Sequence, residues 1–143
     1  DLGWVGEVEE VDPRILNVLL DNGFIPVVSP IGWGEEGTPF NINADLAASS
    51  IARSLRAEKL IYISDVPGVM VDGSRVSTLR ERTAETYLAD RTITGGMIPK
   101  VRSAFETLHG GVMKVHLIDG RIPHSLLLEL FTDEGIGTQF VNN

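Results

Sequence analysis

Lys100 ends a glycine-led segment, Gly95-Gly96-Met97-Ile98-Pro99-Lys100, whose residue types suit the handling of phosphate. Two glycines leave backbone amides approachable, Pro99 fits the first position of a helix, and Lys100 then lies in the first turn, at the positive end of the helix dipole. Unpaired, that placement costs about 0.3–1 kcal/mol, and a bound anion reverses the sign because dipole and ammonium both attract it. A solvated surface lysine is the competing reading. A second candidate is Asn41-Ile42-Asn43-Ala44-Asp45. Asn41 and Asn43 are two apart in an extended stretch, so their amides point to one side. Asp45 falls in the first turn of the helix that follows, where a carboxylate is favoured. A capped helix start explains Asn43 and Asp45 but leaves Asn41 over. In Ser64-Asp65-Val66-Pro67-Gly68, Asp65 could orient a ligand and Gly68 admit its approach, while an ordinary turn uses the same residues.

Other patterns are excluded by their chemistry. Gly32-Trp33-Gly34-Glu35-Glu36-Gly37 matches G-x-G-x-x-G literally, but two glutamates would face the anion and Thr38-Pro39 follows where a helix is needed, so it is read as an exposed loop or hairpin. No G-x-x-x-x-G-K-[ST] is present. His116 lies within an apolar run and His109 and His124 near helix ends; these read as structural, and without cysteine or paired histidines no metal site is expected.

Apolar runs and turn residues set out the elements that must position these groups. Val5 to Val11 alternates apolar and acidic residues and predicts a strand with one wet face. Asp12-Pro13 predicts the cap and first residue of a helix carrying Ile15, Leu16, Leu19 and Leu20, stopped at Gly23. Buried strands are expected at 24–29, 59–64 and 112–118, the three being central to one sheet. Helices are expected from Ala44 to about Leu55, Thr83 to Ala89, Ile98 to Leu108 and Pro123 to Phe131, with a small hairpin over 69–76 around Asp72-Gly73 and a closing strand at 138–141. The fold class is therefore α/β, a three-layer sandwich with helices on both faces of a mostly parallel sheet. Ligands in such sheets bind beyond the C-terminal strand ends, here the loops after Ser29, Ser64 and Ile118.

The 143 residues carry 12 Lys and Arg against 20 Asp and Glu, a net charge of −8 with the 3 His neutral. That balance argues against a nucleic-acid or membrane-surface partner, which usually needs a basic face. No apolar run approaches a membrane span, and the absence of cysteine fits a cytoplasmic protein. The first residues, Asp1 to Glu7, show neither an initiator Met nor a signal pattern, so the chain is expected to begin in mid-sequence.

Several segments taken together resemble the amino acid kinase family, in particular its acetylglutamate-phosphorylating branch. They are Ile25-Pro26-Val27-Val28-Ser29-Pro30-Ile31-Gly32, the Asn41–Asp45 motif, Ala57-Glu58-Lys59-Leu60, Ser64-Asp65-Val66-Pro67-Gly68-Val69, Gly95–Lys100 with Val101, His116-Leu117-Ile118-Asp119-Gly120-Arg121, and the tail from Leu128 to Thr138. The resemblance implies that residues 1–143 form an ATP-binding domain and that an N-terminal acetylglutamate-binding domain, with its K-x-G-G lysine, lies outside this chain. The implied reaction transfers phosphoryl from ATP to the side-chain carboxylate of N-acetyl-L-glutamate, giving an acyl phosphate in arginine biosynthesis, with Mg2+ arriving on the nucleotide. Lys100 is implied to stabilise transition-state charge and Asp45 to orient catalytic lysines. Asn41 and Asn43 fall to the acetylglutamate. Ser64, Asp65, Gly68, Val69 and Met70, with Thr92, Ile93, Thr94 and Met97, line the ATP pocket. His116, Glu129 and Gly135 match the spacing of an arginine effector site, implying arginine as an inhibitor and a homo-oligomeric parent. Two alternatives remain: a sister kinase acting on an aminoadipate-type carboxylate, and a non-catalytic arginine-sensing module.

Overall fold

Two apolar runs, 59–64 and 114–119, set the register on which most of the chain is built. The computed structural model describes residues 3–132 and 135–143, so Asp1, Leu2 and the tail-motif residues Asp133 and Glu134 lie outside the described residues. Contacts divide the chain into two units, Asp1–Ala57 and Glu58–Asn143.

The first unit contains β1 (Val5–Gly6), α1 (Arg14–Asp21), β2 (Ile31–Trp33), β3 (Pro39–Ile42) and α2 (Ala44–Ser54). β2 and β3 form the hairpin around the acidic glycine-rich turn, and β1 joins β3 in parallel. The strand expected over 5–11 is only two residues long. Val5 pairs with Asn41 and Gly6 with Ile42, and the ladder ends where the partner chain turns into the cap of α2 at Asn43. α1 starts one residue later than expected. Asp12 is drawn instead to Arg14, accepting its backbone N–H at 3.1 Å and its guanidinium at 2.5–2.9 Å. These hydrogen bonds pull the Asp12 carboxyl down to about 2.

The buried strand expected at 24–29 is not a strand. Ile25 and Val27 are 90% and 96% exposed, and among the described residues no strand pairs with this segment. An apolar run specifies burial, but a strand also needs a neighbour for its main-chain groups, and Pro26 brings no N–H to such a ladder.

The second unit contains β4 (Lys59–Ser64), β5 (Met70–Val71), β6 (Ser74–Arg75), β7 (Thr78–Arg80), α3 (Glu81–Ala89), α4 (Met97–His109), β8 (Lys114–Asp119), α5 (Ser125–Phe131) and β9 (Thr138–Val141). Its main sheet has the order β4-β8-β9-β7: β4 and β8 are parallel, as are β7 and β9, while β8 and β9 are antiparallel. The α/β class and mostly parallel sheet are as expected. β8 is central, and Val115 to Asp119 are buried without alternation, so both its faces are covered. α4 packs on β8 and β9, where Phe105 meets Phe140 edge-to-face at 5.6 Å, and α5 packs on β8.

β4, expected to be central, is an edge strand of this sheet among the described residues, with Ile63 58% exposed. A hydrophobic pattern reports which faces are covered, not how many strands flank the run. β7 escaped the sequence reading because three residues are too few to show a period.

The turn into β9 is packed against β8. A Cβ added at Gly137 would lie 2.2 Å from the Leu117 carbonyl oxygen and 2.7 Å from Ile118 Cγ2. Gly137→Ala is expected to lower stability by about 1–3 kcal/mol, measured by urea denaturation, through overpacking against backbone that cannot move aside. An unchanged midpoint would refute this close approach.

Candidate nucleotide site

Ser64 and Asp119 are the last residues of β4 and β8 and face each other across the parallel ladder. Both strands therefore deliver their loops to one edge, and Gly120 N–H donates to the Ser64 carbonyl at 2.8 Å to bind those loops together. Ser64 and Asp65 emerge here, with Asp65 exposed. Asp119 accepts the Arg121 backbone N–H at 2.9 Å and grips its guanidinium at 2.8 and 2.9 Å. Those bonds hold the Asp119 carboxyl down to about 2 and raise the pKa of Arg121, to which the nearby Asp65 charge adds.

The chain then runs into the β5–β6 hairpin through Gly68 and Val69. Gly68 has φ +132°, and a Cβ there would lie 2.6 Å from Thr138 Oγ1, so both backbone and space call for glycine. Val69, expected to line the pocket, is fully buried, with its N–H and carbonyl bonded to Thr138 and Val76, whereas Met70 is partly exposed. The Thr138 hydroxyl accepts the Val69 N–H at 2.9 Å and donates to the Val76 carbonyl at 2.6 Å. Arg75 Nη1 donates to the Gly137 carbonyl at 2.7 Å.

α4 begins at the same edge. It returns to β8 through Gly110–Met113, so it runs antiparallel to β8 and β4, and its N-terminus points to their C-terminal ends. It is anchored by a buried hydrogen bond of 3.0 Å between Tyr62 on β4 and Ser103, and Thr107 donates to the Ser103 carbonyl at 2.6 Å. Lys100 is one turn before Ser103, and Ser64 two residues beyond Tyr62, so the anchor places both on the same side of itself. The helix starts at Met97 with Gly96 as its cap residue, no side-chain cap bond and no acid in its first turn. Pro99, expected at the first helical position, is the third, where its missing N–H still costs no helical bond. A Cβ at Gly95 or Gly96 would meet nothing within 4 Å, so an incoming group has room at the helix start. Leading into it, Thr92 N–H donates to Asp90 Oδ1 at 2.9 Å, Ile93 is buried, and the Thr94 carbonyl accepts Met97 N–H at 3.3 Å.

A second cluster lies between β8, α5 and β9. His116 Nδ1 is hydrogen-bonded to Glu129 Oε1, and both side chains are buried. Glu129 Oε2 accepts Ile136 N–H at 2.7 Å and Gly137 N–H at 3.2 Å, and a Cβ at Gly135 would lie 3.0 Å from it. The structure thus brings His116, Glu129 and Gly135 together. Burial pushes the His116 pKa down against the opposing pull of Glu129. Burial raises that of Glu129, but the bonds from Ile136, His116 and Gly137 outweigh it and lower the pKa overall. At neutral pH this is a neutral imidazole donating to a carboxylate, with His116 Nε2 buried and unbonded among the described residues.

In the first unit, Asn43 caps α2, its Oδ1 accepting Asp45 and Leu46 N–H at 2.9 and 3.2 Å. Asn41 is exposed on β3 and Asp45 half-buried in the first turn of α2.

The profile of the amino acid kinase family matches residues 1–119. The chain belongs to the amino acid kinase family. It is 59% identical to the acetylglutamate kinase of Chlorobaculum tepidum over 141 residues, covering 99% of this chain and 50% of that protein. The acetylglutamate kinase of Syntrophomonas wolfei is 50% identical with the same coverage. The chain thus spans about half the length of these curated relatives. Among solved structures, N-acetylglutamate synthase from Neisseria gonorrhoeae complexed with coenzyme A and L-arginine superposes with a TM-score of 0.88 at 36% identity, over 99% of this chain and 33% of that one.

Within this family member, sequence reading singled out the loops and α4; it quoted Asp119, Arg121 and Thr138 only as parts of family motifs, with no role, and did not name Arg75. The Asp-x-Arg spacing at the end of β8 is a local signal for the first two. Thr138 meets its partners Val69 and Val76 at separations of 69 and 62 residues, beyond any local pattern.

The buried pair makes stability depend on pH. With the folded His116 pKa below 6.5 and that of Glu129 below 4.5, the unfolded chain binds more protons on acidification. The pair's contribution is full above pH ~6.5 and is lost as pH falls through the lowered folded values. The melting temperature should therefore fall between pH 7 and 5, and His116→Asn should flatten that slope, as followed by circular dichroism.

Proposed function

We propose that this chain is the nucleotide-binding part of an acetylglutamate kinase, which transfers phosphoryl from ATP to the side-chain carboxylate of N-acetyl-L-glutamate. The observation that carries the reading is the start of α4. A helix N-terminus without a side-chain cap, with open space at Gly95 and Gly96 and with Lys100 in the turn that follows, lies at the edge where β4 and β8 release their loops. Amides and ammonium there suit the phosphates of ATP. The 59% and 50% identical relatives named acetylglutamate kinase support the choice of acceptor.

Phosphoryl transfer asks the protein for in-line positioning and for charge neutralisation rather than for a covalent intermediate. Lys100 supplies a fixed positive charge to the moving phosphoryl oxygens. Ser64 to Met70 and Thr92 to Met97 line the nucleotide. In the first unit, Asn41 is assigned to the acetylglutamate, with Asn43 beside it as the cap of α2, and Asp45 to orienting lysine ammonium groups. Mg2+ comes with the nucleotide. When bound it would neutralise phosphate charge, and no residue of this chain is assigned to it. Among the described residues no helix is long and apolar enough to cross a membrane. A cytoplasmic, homo-oligomeric parent is part of the proposal by likeness to the acetylglutamate kinases.

The His116–Glu129–Gly135 cluster is proposed to bind arginine as an inhibitor. Both Glu129 oxygens are engaged in this structure, by His116, Ile136 and Gly137, so a guanidinium would take the carboxylate only by displacing some of those bonds, and it is the relative solved with L-arginine that supports the ligand.

In the whole protein, Lys100→Ala should lower kcat by ~10²–10³ with a smaller rise in the ATP KM, because a preorganised charge acts mainly on the transition state. A normal kcat in steady-state assays would remove Lys100 from catalysis. Glu129→Ala should raise the arginine concentration for half-inhibition at least about tenfold relative to that variant's own uninhibited rate. Wild-type activity indifferent to millimolar arginine would overturn the regulatory reading alone.

A further inference from the structure

We propose that Thr138 is a positioning residue for the nucleotide loop, its hydroxyl setting the path of residues 65–76 from the rigid sheet. Thr138 is the first residue of β9 and is paired with Leu117 of β8, in the middle of the main sheet. It is fully buried, so it touches no ligand itself.

A threonine hydroxyl has one proton to donate, and here both its donating and accepting capacities are used on the same loop. Thr138 Oγ1 accepts the N–H of Val69, where the chain enters the β5–β6 hairpin, and donates to the carbonyl of Val76, where it leaves. Val76 N–H in turn donates to the Val69 carbonyl at 2.9 Å, so the hydroxyl completes a closed ring across the hairpin base. A Cβ at Gly68 would lie 2.6 Å from that same oxygen, so only glycine leaves it room. Arg75 adds a second tie to β9 through the Gly137 carbonyl.

A hydroxyl in place of a methyl at a buried strand position is costly unless both its bonds are made. Both are made to one loop, the loop that carries Gly68, Val69 and Met70, with Asp65 just before it. Core packing alone would be met equally well by valine, which has the same shape. What valine cannot do is hold the Val69 amide and the Val76 carbonyl, and thereby the path of the loop that presents the exposed Asp65 and Met70.

The inference rests on the reading of this loop as nucleotide-binding, and the test separates the two. The full chain is titrated with Mg·ADP by calorimetry, well below the melting temperature of every variant. Thr138→Val should weaken binding by about tenfold or more, and Thr138→Ser, which keeps the hydroxyl, should stay within about threefold of wild type. A Thr138→Val variant that melts lower yet binds Mg·ADP like wild type overturns the positioning role and leaves the nucleotide site standing. A Thr138→Ser variant as weak as Thr138→Val overturns it as well. Wild-type chain that takes up no Mg·ADP removes the nucleotide reading of the loop and this inference with it. If Thr138→Val does not fold, amide exchange on wild type decides. Saturating Mg·ADP should slow exchange at Val69 by about tenfold relative to Leu117, and an unchanged ratio overturns the proposal.

Discussion

The parallel register of β4 on β8 is the constraint from which the second unit follows. Parallel strands must be joined by a long crossover, and a crossover carrying a helix returns that helix antiparallel to both strands. Once Lys59 faces Lys114 and Ser64 faces Asp119, the loops after both strands and the start of α4 have to meet one edge of the sheet. The glycines and Lys100 need no further device to reach that edge. The Tyr62–Ser103 bond fixes how far along β4 the helix sits, and so how far Lys100 projects beyond the strand ends.

Around that edge the buried polar groups are bound to main chain rather than to one another alone. Glu129 takes the amides of Ile136 and Gly137, Thr138 takes the Val69 amide and gives its proton to the Val76 carbonyl, and Asp119 takes the Arg121 amide. Each side chain thereby turns an irregular segment into a defined one. Buried acceptors satisfied in this way favour a single backbone path, since moving the path leaves a desolvated group unbonded. The segment 135–138 is held from both sides: Glu129 on α5 grips its amides, and Arg75 takes the Gly137 carbonyl. The two clusters are thus covalently adjacent, with Gly137 bonded to Glu129 and the next residue, Thr138, bonded to the base of the β5–β6 hairpin.

Legibility followed the range of the interaction. Asn43 as the cap of α2, the Asp72-Gly73 hairpin, the runs of β4 and β8 and the glycine-led start of α4 depend on neighbours in sequence, and all could be read. The segment 24–29 could not, because its composition resembles a buried strand while its pairing depends on what lies beside it. The same limit hid the edge position of β4. His116, Glu129 and Gly135 were named together only through a family spacing. Local pattern treats them as a core histidine, a helix acid and a helix stop, and it takes the β8–α5–β9 packing to join them. Thr138 shows the limit most plainly, for nothing near it in sequence separates a bridging hydroxyl from a β-branched filler.

β9 lies between β7 and β8 and is the strand that links them. β7 pairs with β9 across about sixty residues, and β8 gains its second neighbour only when 138–141 are in place. During synthesis, β7, α3, α4 and β8 therefore leave the ribosome well before the strand that closes their sheet. Such high contact order slows folding, and an unpaired β8 edge is open to other chains in the interval. The order of translation thus leaves to β9 the protection of the most buried strand, β8.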